Sequence, residues 1–190
     1  MNTPAHLLVN LAVLGRDESP RYQFHILAGA LLPDAPMFLF YFIEKVIRKV
    51  PEYVIWSHDY HLGSWQNFFD CFNSIPFIIL GLVIAWKTYS RAGQFLCMSM
   101  MLHVFGDFPL HHDDGHRHFF PFSDWRFESP VSYWDPLHYG HIVTGVEVFV
   151  VLVSAVIVFR CSASCATRWF VGSVGVSYMT FFGYALWVWG

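Results

Sequence analysis

Long apolar runs alternate with short polar segments along the chain, and the runs have the lengths of helices. Residues 4–15 (PAHLLVNLAVLG) form the first, with Thr3 suited to the N-cap and Pro4 to the first turn. About 20 apolar residues are needed to cross a bilayer, so this helix is predicted to be re-entrant or packed inside a bundle. Residues 24–44 are long enough to cross, although Pro33-Asp34-Ala35-Pro36 interrupts the backbone ladder midway. Further spans are predicted at 74–88, 92–110, 141–159 and 169–189, separated by basic turns at 87–91 and 160–168. The polar linker 15–23 reads as a turn, residues 51–64 as an extramembrane loop, and residues 65–73 as an interfacial amphipathic helix. The pattern predicts an all-α fold: a polytopic membrane helical bundle of about five spans, with a short N-terminal helix and a long ordered polar loop. It reads as a single membrane domain over residues 1–190.

Composition supports the membrane assignment. The chain is 55% hydrophobic and only 13% charged, against about 25% charged in soluble domains. A net charge of -3 without a basic stripe excludes nucleic acid as a partner. Cys71, Cys97, Cys161 and Cys165 form no CxxC and read as small apolar fillers rather than a disulfide framework. The start lacks the basic segment of a secretory signal, so His6 is expected in the mature protein. Lys87, Arg91, Arg160 and Arg168 place their two turns in the cytoplasm, and Arg16 and Arg21 agree. The 111–140 loop then faces outward, together with Lys45, Arg48 and Lys49.

The chemistry concentrates between His103 and His141, which hold seven of the eleven histidines. Imidazole and carboxylate are the ligands that borderline and hard divalent cations prefer. His103 and Asp107 stand one turn apart on one helix face. His111-His112-Asp113-Asp114-Gly115-His116-Arg117-His118 follows. Upstream, His6 shares a helix face with Asn10, and Asp34 sits in the proline break, where a carboxylate is too costly to face lipid. Asp34 also suits the cap of the half-helix that follows it. A zinc site takes three or four ligands, so some of Asp113, Asp114, Asp124 and Glu147 are expected to orient histidines instead. Arg117 suits a phosphate or other anion. Trp125, Tyr133 and Trp134 suit the headgroup level, and His58 and His61 read as exposed or interfacial.

These residues carry a resemblance. Ala5-His6-Leu7, Leu32-Pro33-Asp34, His103 to Asp107, and Phe119-Phe120-Pro121 with Trp125-Arg126-Phe127 resemble the motifs of the YdjM-type (DUF457) family of membrane-bound, predicted metal-dependent hydrolases. That family's Thr-His-Ser is Phe72-Asn73-Ser74 here. The run from Pro109 to Phe119 and the segment Ser129 to Asp135 are also similar to bacterial membrane proteins sometimes labelled for cobalamin biosynthesis, although no amidotransferase or nucleotide motif accompanies them.

The resemblance implies a bacterial inner-membrane hydrolase. Together with the spacing it assigns His6, Asp34, His103, Asp107 and His111 to a divalent metal, zinc by ligand type, and Asp114 or His118 to proton transfer. A site at headgroup level implies a membrane lipid or other amphiphilic ester or phosphoester as substrate. The alternative is a non-catalytic metal-binding or transport-associated membrane protein, with Asp34 and Glu147 lining an ion path. Oligomeric state is not legible.

Overall fold

The computed structural model describes residues 1–15, 21–162 and 164–189. Arg16, counted in the topology above, lies outside the described residues, as do residues 16–20 of the first linker and residue 163 of the turn at 160–168. Among the described residues the fold is helical, without strands.

Helix α1 (Thr3–Leu14) sits at the centre. Ala5, Leu8, Leu11 and Ala12 are buried against Ile26, Phe95, Val151, Val158 and Val171, so α1 is sheathed by neighbouring helices. A helix wrapped in protein need not be long enough to span lipid, which is why twelve residues suffice. Thr3 lies inside the first turn rather than at the cap, and Asn2 takes the cap position without a side-chain bond to the helix backbone.

The segment expected as one span is two half-helices. Helix α2 (Gln23–Leu31) ends at the Pro33 break, and α3 (Ala35–Phe42) runs on through a widened π-turn at Ile43–Ile47, bent by 56° from α2. A short helix, α4 (Glu52–Ser57), and a single 3₁₀ turn lie where a loop was read. They close a hydrophobic cluster of Phe40, Ile55 and Phe69. Helices α5 (Gly63–Phe72) and α6 (Ile75–Lys87) follow almost continuously, so the interfacial helix and the next span merge into one 25-residue element.

Helix α7 (Arg91–Asp107) packs along α2 and α6 and also touches α1. Helix α8 (Gly140–Cys161) lies against α1, and α9 (Cys165–Trp189) against α8. Two helices are long and apolar enough to cross a membrane, Gly63–Lys87 and Gly140–Cys161, and a third if the bent pair counts as one span. Their outward faces carry exposed Phe38, Phe42, Ile79, Leu80, Ile84, Phe149 and Val156, which water would not tolerate over such an area. Length and composition of the described helices thus identify two or three of the five expected spans. Helix α7 is only 17 residues long and buries Gln94, Ser99, His103 and Asp107 along its length, so it is a core helix with a polar face.

That polar face is tightly registered. Ser99 Oγ donates to Ile26 O, and Asn10 Nδ2 donates to Ser99 Oγ and O, joining α1, α2 and α7. Close approach of α2 and α7 depends on Gly29, where an added Cβ would stand 2.3 Å from Leu96 O and 2.7 Å from Ser99 Cβ. Gly29→Ala is expected to lower stability by about 1–3 kcal/mol through overpacking. Gly145→Ala, on α8 with no atom within 4 Å of the new Cβ, should be neutral or stabilising by up to about 1 kcal/mol. Thermal unfolding of the two variants in the same detergent checks the contrast.

Candidate metal centre

Four segments converge where α7 ends. Helix α1 brings His6, the α2–α3 break brings Asp34, α7 brings His103 and Asp107, and the following loop brings His111. His6 reaches in because Gly106 leaves room: a Cβ there would lie 3.3 Å from His6 Cε1. The His6 and His103 rings stack with centroids 3.6 Å apart and planes 16° from parallel. His6 Nε2 is 2.9 Å from Asp107 Oδ1, and the Met1 ammonium rests on the same oxygen.

The proline break performs a local service. The Asp34 N–H bonds Leu31 O, one residue tighter than the α-helical pattern, so it does not take Ala30 O. His103 Nδ1 donates to that Ala30 carbonyl at 2.7 Å. Since a carbonyl only accepts, Nδ1 carries a proton, and Nε2 is the nitrogen left to bind either a second proton or a cation. Nε2 is buried without a hydrogen bond, 3.2 Å from Asp107 Oδ2 and 3.4 Å from Asp34 Oδ1. A ring nitrogen facing two carboxylates requires a positive charge there, supplied by a second proton or by a cation. Asp34 is at the cap position of α3 but its carboxylate does not cap; Oδ2 accepts from Thr3 Oγ1 instead.

His111 completes the ring. Its Nε2 is 3.7 Å from Asp107 Oδ2 and its Nδ1 2.9 Å from Asp114 Oδ1, yet neither nitrogen is aligned for a hydrogen bond. Burial opposes a charge on His111, but the Asp107 and Asp114 carboxylates outweigh it and raise its pKa to about 9. Asp114 is held ionised: burial would raise its pKa, and the His111 contact and the Trp134 indole N–H overcome that. His6, His103 and Asp107 place a ligand atom each within 4.8 Å of one another, all buried, and this group can hold a metal ion. The orphaned nitrogens and the mixed nitrogen and oxygen donors fit a divalent cation.

Asp34, Asp107, His111 and Asp114 border a cavity of about 270 Å³ whose other walls include Thr3, Met37, Phe38, Tyr60, His116 and Tyr133. The loop around it is fastened at two points. Ser129 N donates to His111 O, Ser129 Oγ to Pro109 O, and Tyr133 N to Leu110 O, which fix His111. Arg117 is tied to buried Asp70 through its backbone N and Nε, and to Asp124 and Asn67. Arg117 is thus spent on a structural clamp rather than offered to an anion.

The other expected residues fall elsewhere. His118 does not border the cavity; its Nδ1 donates to Asn73 O at 3.3 Å. Asn73 donates to Pro33 O and Phe69 O and so braces the break beside Asp34. Glu147 accepts from Asn2 and from Tyr178 and orients no histidine, but it anchors the start of α1. Asp113 is exposed, as are His58 and His61. His112 stacks on His138 outside the cavity. Tyr133, expected at the headgroup level, forms cavity wall, its ring 5.1 Å from His111. His116 and Tyr60 were not singled out, and only the density of histidines in the run hinted at the first.

Two outcomes follow from the loop. Asp70→Ala leaves the Arg117 guanidinium without its buried partner and should cost about 3–5 kcal/mol, seen as faster hydrogen exchange across residues 111–126. His118 is buried and its pKa is pushed down to about 4. The unfolded chain therefore binds the proton first, and stability present above the ordinary histidine pKa is lost as pH falls below it. From pH 7 to pH 5 the wild type should lose about 2 kcal/mol more than His118→Asn, checked by unfolding of both at the two pH values.

Compared with known proteins, the chain matches no family model, no curated protein and no solved structure.

Proposed function

We propose that the chain is a membrane-embedded, metal-dependent hydrolase acting on an amphiphilic ester or phosphoester. The observation that carries this reading is the buried His103 Nε2, which makes no hydrogen bond and faces Asp107 and Asp34, two carboxylates that border the cavity. His6, Asp34, His103, Asp107 and His111 would hold the ion, and the donor set suits zinc. Such an ion would supply hydroxide at neutral pH by bringing the pKa of water to about 7, and would polarise the bond under attack.

The chain's own residues provide the rest. Asp114, held ionised and bordering the cavity, accepts a proton from the attacking water. It is better placed than His118, which lies away from the cavity. Tyr133, whose phenol burial pushes up in pKa, keeps its proton and can donate to a substrate oxygen. Met37 and Phe38 give the cavity an apolar wall, and Phe38 is also 54% exposed on the outward face of α3. That continuity between a polar pocket and a lipid-compatible face suits a substrate with a headgroup and a chain.

In this reading the bundle lies in a bacterial inner membrane. Helices α7 and α9 cross with the three apolar elements to make five spans, and the 111–140 loop lies on the outer side. The protein purified in detergent is expected to contain divalent metal and to hydrolyse at least one member of a panel of phospholipids and acyl esters. His103→Ala and Asp107→Ala should lose the metal and at least ~100-fold in activity. Asp114→Asn should keep the metal and lose about 10²–10⁴-fold in kcat. Protein without metal, or hydrolysis indifferent to these changes, would contradict the reading.

A further inference from the structure

We infer that the centre is built for two cations bridged by Asp107, not for one. The inference deepens the metal reading above and rests on a cation being held here, not on hydrolysis.

The geometry of the two stacked rings carries it. An imidazole lone pair lies in its ring plane, so it aims at an ion in that plane. The His6 and His103 rings are face to face, only 16° from parallel. Their Nε2 lone pairs therefore run side by side rather than meeting at one point. A single ion bound by both would stand well out of both ring planes. Two ions, each in one ring plane, would be separated by about the ring spacing. That spacing is 3.6 Å between centroids, and paired metal sites hold their ions about 3.5–4 Å apart.

Asp107 divides in the same way. Its Oδ1 faces His6 Nε2 at 2.9 Å, and its Oδ2 faces His103 Nε2 at 3.2 Å. Bonds of about 2.0–2.2 Å to a shared ion put neighbouring ligand atoms about 3–3.5 Å apart. Each oxygen–nitrogen pair thus has the span of two ligands on one ion, and the two pairs lie on opposite oxygens of one carboxylate. The positions are unequal. Around Oδ2 gather His103, Asp34 at 3.4 Å from His103 Nε2, and His111 at 3.7 Å from Oδ2, a full protein ligand set. Around Oδ1 lie His6 and the Met1 amino group, so that ion would complete its sphere with water or substrate from the cavity. The Oδ2 position is the tighter, and the Oδ1 position the exchangeable one.

The full chain in detergent tests this by zinc and Mn²⁺ titration with metal analysis, and by electron paramagnetic resonance of the Mn²⁺ form. Wild type should take two ions per chain and give the broadened spectrum of a spin-coupled Mn²⁺ pair. His6→Gln should take one ion and give the spectrum of an isolated Mn²⁺. Saturation of wild type at one ion or none with both metals, or two Mn²⁺ ions without coupling, would overturn the inference. The coupling measurement needs no variant, so misfolding of His6→Gln would not shield it. Two coupled ions without ester hydrolysis would leave this inference standing and remove the hydrolase, whereas one ion with hydrolysis would do the reverse.

Discussion

Asp107 is a carboxylate with almost no access to water, and three imidazoles face it. An isolated charge in such a place would neutralise or unfold its surroundings. Its stability there requires positive charge close by, and everything near the end of α7 can be understood as delivering that charge. Helix α1 is threaded into the middle of the bundle, which puts His6 against one oxygen. The α2–α3 break opens one carbonyl for His103 and places Asp34 across from it. The loop folds back so that His111 closes the remaining side.

Local irregularities serve this arrangement twice over. The break at Pro33 stops α2 and, by the same disruption, fixes which nitrogen of His103 donates to Ala30 O and which faces the carboxylates. Asn73 ends α5 and braces the Pro33 carbonyl from the other side. Glu147 reaches from a membrane-capable helix to grip Asn2, so the first turn of α1 cannot drift from the pocket. Removing an apolar contact from this bundle would loosen it generally, whereas removing one of these polar ties would misplace a specific ligand atom.

The helical elements were legible because apolar runs of helix length are a coarse, robust signal, and the proline pair marked the bend. The burial of α7 was not, because counting apolar residues does not reveal which face a helix buries. In α7 the residues Ser99, His103 and Asp107 recur about every fourth position and face α1 and α2, a pattern of a core helix hidden in an apolar average. At the site, His103 and Asp107 could be paired from spacing alone, since a helix fixes neighbours one turn apart. Tertiary pairings could not: Asp70 and Arg117 are 47 residues apart, and nothing local tells Arg117 to clamp a loop instead of meeting an anion. The place of Tyr133 in the cavity wall was hidden for a related reason, as an aromatic in a proline-rich loop suits an interface equally well. The stacking of His6 on His103 depends on Gly106 and on the path of α1, neither of which spacing encodes.

The central claim is that a cation gathers these buried groups. Anomalous diffraction from crystals of the protein grown with zinc tests it most directly. The account predicts anomalous density bonded to His103 Nε2 and an Asp107 oxygen, at about 2.0–2.2 Å. Crystals with no anomalous density within reach of His103 and Asp107, or with zinc found only elsewhere, such as at the His112–His138 pair, would contradict it.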